Sequence, residues 1–145
     1  MSLRIRPARP DEREALEALQ WRASLANPQH REDLLANPDA ITLPIEQFIF
    51  GNVFIAEENG AVRGFAVLLA NETRAELDGL FVEPEHWRGG IGTALVDEAV
   101  HRARRLGLTL TVVAGTDARA FYESCGFSVE GEAQTRFGPA LRMTR

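Results

Sequence analysis

The chain lacks lysine altogether, and this absence excludes two kinds of chemistry. All 16 basic residues among its 145 are arginine, so neither Schiff-base catalysis on lysine nor a Walker-type phosphate loop is available. Cysteine is nearly absent as well, because Cys125 stands alone, which excludes an intrachain disulfide. The longest purely apolar run, residues 65–70, is far shorter than the roughly 20 residues that span a bilayer.

Charge and length further restrict the partners and the number of domains that the chain is expected to have. Sixteen basic against 21 acidic residues give a net charge of −5, which argues against a nucleic-acid partner because phosphate backbones bind to basic surfaces. With 45% hydrophobic residues, the chain can bury one core, so we expect a single domain over residues 1–145. The amino end shows no apolar secretory signal, and we therefore expect a cytoplasmic protein without a membrane partner.

The first half of the sequence predicts one strand followed by helices. Residues 3–7 alternate apolar and basic side chains, as a half-exposed strand does. A helix is expected next, with Asp11 and Glu14 as its capping pair. Two further helices are predicted, one between Asn27-Pro28 and Asn37-Pro38 and a short one over residues 44–50.

The middle of the chain is predicted to start with a β-hairpin. Asn59-Gly60 separates the apolar runs 53–56 and 62–69, and this dipeptide favours a type I′ turn between two strands. A third strand over residues 74–82 continues the antiparallel meander, with Gly79 marking a bulge or a close approach to the backbone.

A glycine-rich turn then leads into the most strongly periodic helix of the sequence. Its apolar residues recur at helical spacing, and Gly107 follows its basic last turn. The remaining pattern predicts a strand over 108–114, a helix over 118–124 and closing strands over 127–129 and 137–143. The chain is therefore expected to have an α/β fold built on a mixed sheet.

The order strand, glycine turn, helix is typical of a site for phosphate. Free amides at a helix start, together with the helix dipole, favour an anion. The turn does not match the Walker phosphate-loop pattern, because that pattern requires a lysine. The dinucleotide fingerprint fails because Leu95 stands at its third small position, and the next strand ends at Ala114-Gly115 without the acidic ribose partner.

Three segments resemble the GCN5-related N-acetyltransferase family. The residues from Trp87 to Gly92 are similar to its acyl-CoA loop Q/R-x-x-G-x-G/A, with Trp87 in the place of Gln or Arg. Residues 76–84 look like its fourth strand, which ends in Val-x-Pro. Residues 118–127 look like its A-x-x-F-Y-x-x-x-G-F segment, although Gly115 replaces the usual upstream asparagine.

This resemblance implies a fold, a reaction and a cosubstrate. The fold is a central, mostly antiparallel, twisted sheet flanked by helices. The reaction is direct transfer of an acetyl group from acetyl-CoA to a primary amine of a small molecule or peptide, without a covalent acyl-enzyme. Separately, no His/Cys/Asp spacing in the sequence resembles a metal site, so no metal is expected. The implied coenzyme-binding residues lie at the strand end and in the loop: Leu80, Phe81, Val82, Arg88, Gly89, Gly90, Ile91, Gly92 and Thr93.

The same resemblance suggests catalytic roles for two side chains. Glu76 matches the position of a general base, with Asp78 in reserve on the same strand face, while an ordinary strand glutamate paired with Arg74 is an equal alternative. Tyr122, the only tyrosine, matches the acid that protonates the departing thiolate, against the alternative of a plain core aromatic.

Other functions stay open at this point. A non-catalytic acyl-CoA sensor of the same fold would explain the departures at Trp87 and Gly115, and a nucleotide-binding regulator would use the same glycine turn. Homodimers are common among similar proteins, so we keep a homodimer as an expectation. The acceptor groove is expected to involve the amino-terminal helices, with Trp21, Phe48, Phe50, Glu76 and Asp78 as candidates.

Overall fold

A computed structural model describes residues 3–145, apart from the side chain of Gln29. The prediction that the amino end has no secretory signal includes Met1 and Ser2, which lie outside the described residues. The strands are β1 (Leu3–Pro7), β2 (Val53–Glu58), β3 (Ala61–Ala70), β4 (Arg74–Val82), β5 (Thr109–Ala114), β6 (Ser128–Thr135) and β7 (Gly138–Thr144). The helices are α1 (Arg13–Leu25), α2 (Pro28–Ala36), α3 (Ile45–Ile49), α4 (Ile91–Arg105) and α5 (Arg119–Ser124).

The seven strands form one mixed sheet in the order β1-β2-β3-β4-β5-β7-β6. Antiparallel pairing joins β1 to β2, β2 to β3, β5 to β7 and β6 to β7. The pairing of β4 with β5 is parallel and runs from Arg74 opposite Thr109 to Leu77 opposite Val112. The expected mixed, mostly antiparallel sheet with helices is therefore confirmed.

The chain divides into two compact units. The first contains the residues up to Val67 together with Gly79–Leu95. Its interior is built from fully buried side chains of α1, β2 and β3, and the rings of Phe65 and Phe81 lie 5.5 Å apart between centroids. This unit carries the glycine-rich turn and the first residues of α4.

The second unit contains Leu68–Asp78 and Val96–Arg145. Its core includes Leu110, Val112 and Met143, which are almost inaccessible to solvent. Apolar side chains at every second position of β5 explain this burial, because alternate residues of a strand face the same side. This unit carries Glu76, Asp78 and Tyr122.

Most expected elements are confirmed. Asn59 and Gly60 adopt positive φ angles of 54° and 79°, as the type I′ turn between β2 and β3 requires. Helix α4 ends before Gly107, whose φ of 71° provides the left-handed residue that commonly follows a helix. Strand β4 has the predicted bounds.

Two local predictions are wrong. The cap of the first helix is not formed by Asp11 and Glu14, because a short 3₁₀ turn over Pro10–Glu12 precedes α1. Glu12 takes the capping role instead: its carboxylate accepts the Arg9 amide at 2.8 Å and pairs with Arg6 at 2.8 Å. Strand β6 also extends to Thr135, well beyond the predicted 127–129, because its polar residues lie on an exposed strand where no apolar alternation is needed.

Gly64 tests how closely β4 must approach β3. A Cβ atom on Gly64 would lie 2.8 Å from the Phe81 carbonyl oxygen, which belongs to the backbone and cannot move aside alone. We predict that Gly64→Ala lowers the free energy of unfolding by about 1–3 kcal/mol in urea denaturation. The matched control is Gly131→Ala, since a Cβ at Gly131 meets nothing within 4 Å. Equal stability of the two variants would contradict the close approach.

Candidate active site

The glycine-rich turn has an unusual backbone that leads directly into α4. Arg88 and Gly90 both adopt positive φ angles, 68° and 86°. Such a value is uncommon for a residue with a side chain. A Cβ on Gly90 would meet nothing within 4 Å, which means that the space beside this residue is open.

This backbone leaves a row of amides without partners. Within the described residues, Ala94 is the first residue of α4 whose amide reaches a carbonyl, that of Gly90 at 3.0 Å. The amides of Gly90, Ile91, Gly92 and Thr93 make no main-chain hydrogen bond there, whereas the Gly89 amide donates to the His86 carbonyl at 3.3 Å. Free amides at the start of a 15-residue helix are able to bind an anion, and the helix dipole favours this.

Trp87 ties this turn to the end of β4. Its indole Nε1 donates a hydrogen bond of 2.8 Å to the Val82 carbonyl, although 47% of the residue remains exposed. The side chain that replaces Gln or Arg at this motif position therefore contributes a structural bond across the turn. This partner could not be predicted from the sequence, because no local pattern pairs an indole with a carbonyl five residues earlier.

The carboxyl end of β4 combines core packing with a free backbone edge. Leu80, Phe81 and Val82 are half-buried, and Phe81 packs on Phe65. The register between β4 and β5 covers only Arg74–Leu77 of β4. Main-chain groups later in β4 are therefore without a partner in that register, and they are able to pair with an extended ligand.

Glu76 is half-buried on β4 and lines a cavity of 310 Å³. It lies opposite Thr111 in the parallel register. No described side chain forms an ion pair with its carboxylate within 4.0 Å. Arg74, the partner considered from the sequence, pairs with Glu130 instead, at 3.5 Å. Glu76 is thus a carboxylate facing a cavity without a structural partner, which suits a group that takes up protons.

Asp78 lies two residues further along the same strand. Its side chain is more exposed than that of Glu76. Partial desolvation nevertheless raises the pKa of the Asp78 carboxyl group from its ordinary value. This shift makes Asp78 a stronger base than a fully hydrated aspartate, so both carboxylates keep their candidacy.

Tyr122 is buried at 7% exposure between two aromatic neighbours. Its ring makes edge contacts with Phe121 and Phe127, with centroids 5.0 and 5.5 Å away. Burial raises the pKa of the Tyr122 hydroxyl, and the nearby Cys125 adds to the rise. The phenol therefore stays protonated at neutral pH, and it makes no hydrogen bond within residues 3–145.

The expected acceptor-groove aromatics have different environments. Phe48 is a core residue of α3 at 4% exposure. Phe50 is 73% exposed, and Trp21 is half-buried. In the part of the chain that the structure describes, no group of three or more His, Cys, Asp or Glu residues is arranged to hold a metal ion.

The comparison with known families decides the identity of the fold. A family model described as acetyltransferase (GNAT) family matches residues 13–127, which include the turn, β4 and the segment around Tyr122. This chain belongs to the acetyltransferase (GNAT) family. A curated relative, the 5-NmdU N-acetyltransferase of Pseudomonas phage PaMx11, is 35% identical over 95 residues, which cover 63% of this chain and 67% of the relative.

Solved GNAT structures share the fold over the full length of the chain. The PaiA N-acetyltransferase from Thermoplasma acidophilum, solved in complex with coenzyme A, has a TM-score of 0.79 at 20% identity and covers 100% of this chain and 99% of its own. YncA from Salmonella typhimurium, a putative acetyltransferase solved with acetyl-CoA, has a TM-score of 0.73 at 20% identity, covering 100% and 94%. At such identities the likeness establishes the fold alone. No helix within residues 3–145 has the length and apolar character needed to cross a membrane.

Gly90 provides a test of the amide row. We predict that Gly90→Ala weakens CoA binding by about 5- to 30-fold in calorimetry, because alanine destabilises the left-handed conformation by about 1–2 kcal/mol and the loop relaxes. The matched control is Gly60→Ala, which has a similar φ of 79° and equally open surroundings, but in the β2–β3 hairpin. If both variants lose CoA affinity equally, or if neither variant loses it, the assignment of these amides to CoA binding is contradicted.

Proposed function

We propose that this GNAT protein transfers an acetyl group from acetyl-CoA directly to a primary amine of a small molecule or peptide. The observation that carries the proposal is the row of free amides from Gly90 to Thr93, at the loop by which the sequence resembles acyl-CoA-binding proteins. Two structural relatives were solved with coenzyme A or acetyl-CoA, which supports the same donor here. The curated relative is named as an N-acetyltransferase, which supports an amine as the acceptor.

The donor is bound mainly through backbone groups. The diphosphate of the coenzyme accepts hydrogen bonds from the Gly90–Thr93 amides and gains from the positive end of the α4 dipole. Arg88, Gly89 and Ile91 complete the loop, and the exposed Arg88 guanidinium supplies a charge that Trp87 lacks. The amide groups of the pantetheine arm pair with the free edge of β4 over Leu80–Val82 in the manner of an added strand.

Acetyl transfer begins with removal of a proton from the acceptor. A primary amine is an ammonium ion at neutral pH and cannot attack until it is deprotonated. Glu76 accepts this proton, directly or through water, because it faces a cavity and forms no ion pair within 4.0 Å with any described side chain. The neutral nitrogen then attacks the thioester carbon, and a tetrahedral intermediate forms.

Charge then passes from the carbonyl oxygen to the sulfur. A main-chain amide at the end of β4, around Phe81 and Val82, stabilises the oxyanion. The carbon–sulfur bond breaks, the thiolate takes a proton from the Tyr122 hydroxyl, and the attacking nitrogen loses its second proton, which reprotonates Tyr122 through water. The products are the N-acetylated acceptor and free CoA thiol, and one proton in total is released to solvent.

A sensor that binds acyl-CoA without catalysis is the second candidate, favoured by Trp87 and by Gly115, which caps a 3₁₀ turn. The deciding assay follows thiol release from acetyl-CoA across amines, polyamines, amino acids and peptides. Thiol release that depends on an amine supports the transferase. Thermal stabilisation by CoA, without thiol release for any acceptor, supports the sensor.

Three broader expectations remain predictions: a single domain over residues 1–145, a cytoplasmic location and a homodimer. The first is checked by whether urea unfolds the whole chain in one cooperative transition.

Substitution of the two carboxylates tests the base. We predict that Glu76→Gln lowers kcat by about 100-fold or more without changing CoA affinity, because the amide cannot accept the ammonium proton. Asp78→Asn should retain most of the activity. Glu132→Gln, a matched change of an exposed carboxylate on β6, should have no effect. If Asp78→Asn abolishes turnover while Glu76→Gln does not, Asp78 is the base.

Tyr122→Phe tests the group that serves the leaving sulfur. We expect kcat to fall by about 10- to 100-fold, with CoA affinity unchanged, since only the transfer step uses the hydroxyl. The variant should also unfold at nearly the wild-type urea concentration, because the hydroxyl has no partner to lose within the described residues. An unchanged kcat would remove Tyr122 from the mechanism.

A further inference from the structure

The cavity beside Glu76 contains more positive than negative charge. Besides Glu76, its lining includes Arg74, Arg142 and Asn71, with Thr111 and the end of β3 as the remaining wall. All of these residues belong to the second unit. Two guanidinium groups therefore share a space of 310 Å³ with one carboxylate.

Arg142 is the distinctive side chain of this cavity. It lies on β7, opposite Val113 of β5, and is half-buried. Its guanidinium forms no ion pair within 4.0 Å and no hydrogen bond with any described residue. Arg74, by contrast, is partly engaged with Glu130 at 3.5 Å. The Arg142 guanidinium is therefore available to pair with an anion that enters the cavity.

Asn71 adds a second donor to the same space. Its side-chain oxygen is fully used in the β3–β4 turn, where it accepts the amides of Thr73 and Arg74 at 2.8 and 2.9 Å. Its side-chain NH₂ group makes no hydrogen bond within residues 3–145. The Thr111 hydroxyl is committed to the Ala75 carbonyl at 3.2 Å. The uncommitted groups of the cavity are therefore donors, apart from the Glu76 carboxylate.

We propose that this cavity is the acceptor subsite and that it selects amines which also carry an anionic group, a carboxylate or a phosphate. The inference rests on the proposed function, because it takes Glu76 as the group that receives the amine proton. Arg142 forms a charge-assisted, two-pronged hydrogen-bond pair with the anion, and the Asn71 amide adds a further donor. The ammonium lies toward Glu76, so the two opposite charges of the acceptor match two unpaired opposite charges of the protein.

The dimensions of the cavity support a small acceptor. A volume of 310 Å³ is at the lower end of the range for small-molecule sites. Amino acids and short aminoalkyl phosphates are small enough for it, and both present an ammonium and an anion a few bonds apart.

The test compares acceptors in matched pairs that differ only in the anion: an amino acid against its amide, and an aminoalkyl phosphate against its amino alcohol. We expect kcat/KM to be about 10- to 100-fold higher for one or both anionic members, the range expected for a hydrogen-bonded charge pair. The pair with the larger ratio distinguishes carboxylate from phosphate. Arg142→Gln should remove the preference by raising KM for the anionic member, while KM for the neutral member stays nearly constant.

Two controls keep the outcome interpretable. Arg105→Gln removes one charge at the exposed end of α4 and should leave the preference intact. Arg142→Lys should restore part of it, because lysine keeps the charge but loses the two-pronged geometry. Urea unfolding of each variant establishes that the fold persists.

The results separate the two proposals. If amines are acetylated but the anion makes no difference to kcat/KM, the subsite is wrong and the transferase stands. If no acceptor yields thiol release, the proposed function fails, and the subsite is then judged by calorimetry with the same paired compounds. Binding of the anionic members that Arg142→Gln abolishes would support the subsite, whereas equal binding of both members would overturn it.

Discussion

The unsatisfied amides at the start of α4 are the constraint on which the functional interpretation depends. The first amides of a helix have no carbonyl partner within it, and here four consecutive amides have no main-chain partner among the described residues. Gly90 precedes the helix with a positive φ. A negatively charged ligand can accept hydrogen bonds from these amides, and the proposed coenzyme carries such a group, its diphosphate.

The catalytic candidates depend on a different feature, the alternation of side chains along β4. Ala75 and Leu77 face the core, so Glu76 and Asp78 share the opposite face. The β4–β5 register ends at Leu77. Beyond it the β4 backbone has no partner in that register, although the Val82 carbonyl accepts the Trp87 hydrogen bond. One strand thus carries, in order, the two candidate carboxylates and the main-chain edge proposed for the donor.

Local signals allowed much of this to be predicted from the sequence. Asn59 and Gly60 both adopt positive φ readily, and this preference is enough to predict the turn between β2 and β3. Helix α4 and the bounds of β4 follow from the pattern of apolar and polar side chains. Contacts between residues that are far apart in the sequence could not be predicted. The sequence did not indicate that Arg74 pairs with Glu130, or that Arg142 on β7 shares a cavity with Glu76. Such encounters are set by strand order and register, and a single sequence does not encode them in any local pattern.

The most direct test of the central claim is the response of individual backbone amides to the coenzyme, followed by two-dimensional NMR. We predict that CoA shifts the amide resonances of Gly90–Thr93 more than any others. Because the diphosphate is the bound group, ADP should shift the same resonances and pantetheine, which lacks it, should not. If the resonances of these four amides do not change at saturating CoA, the assignment of the loop to coenzyme binding is contradicted.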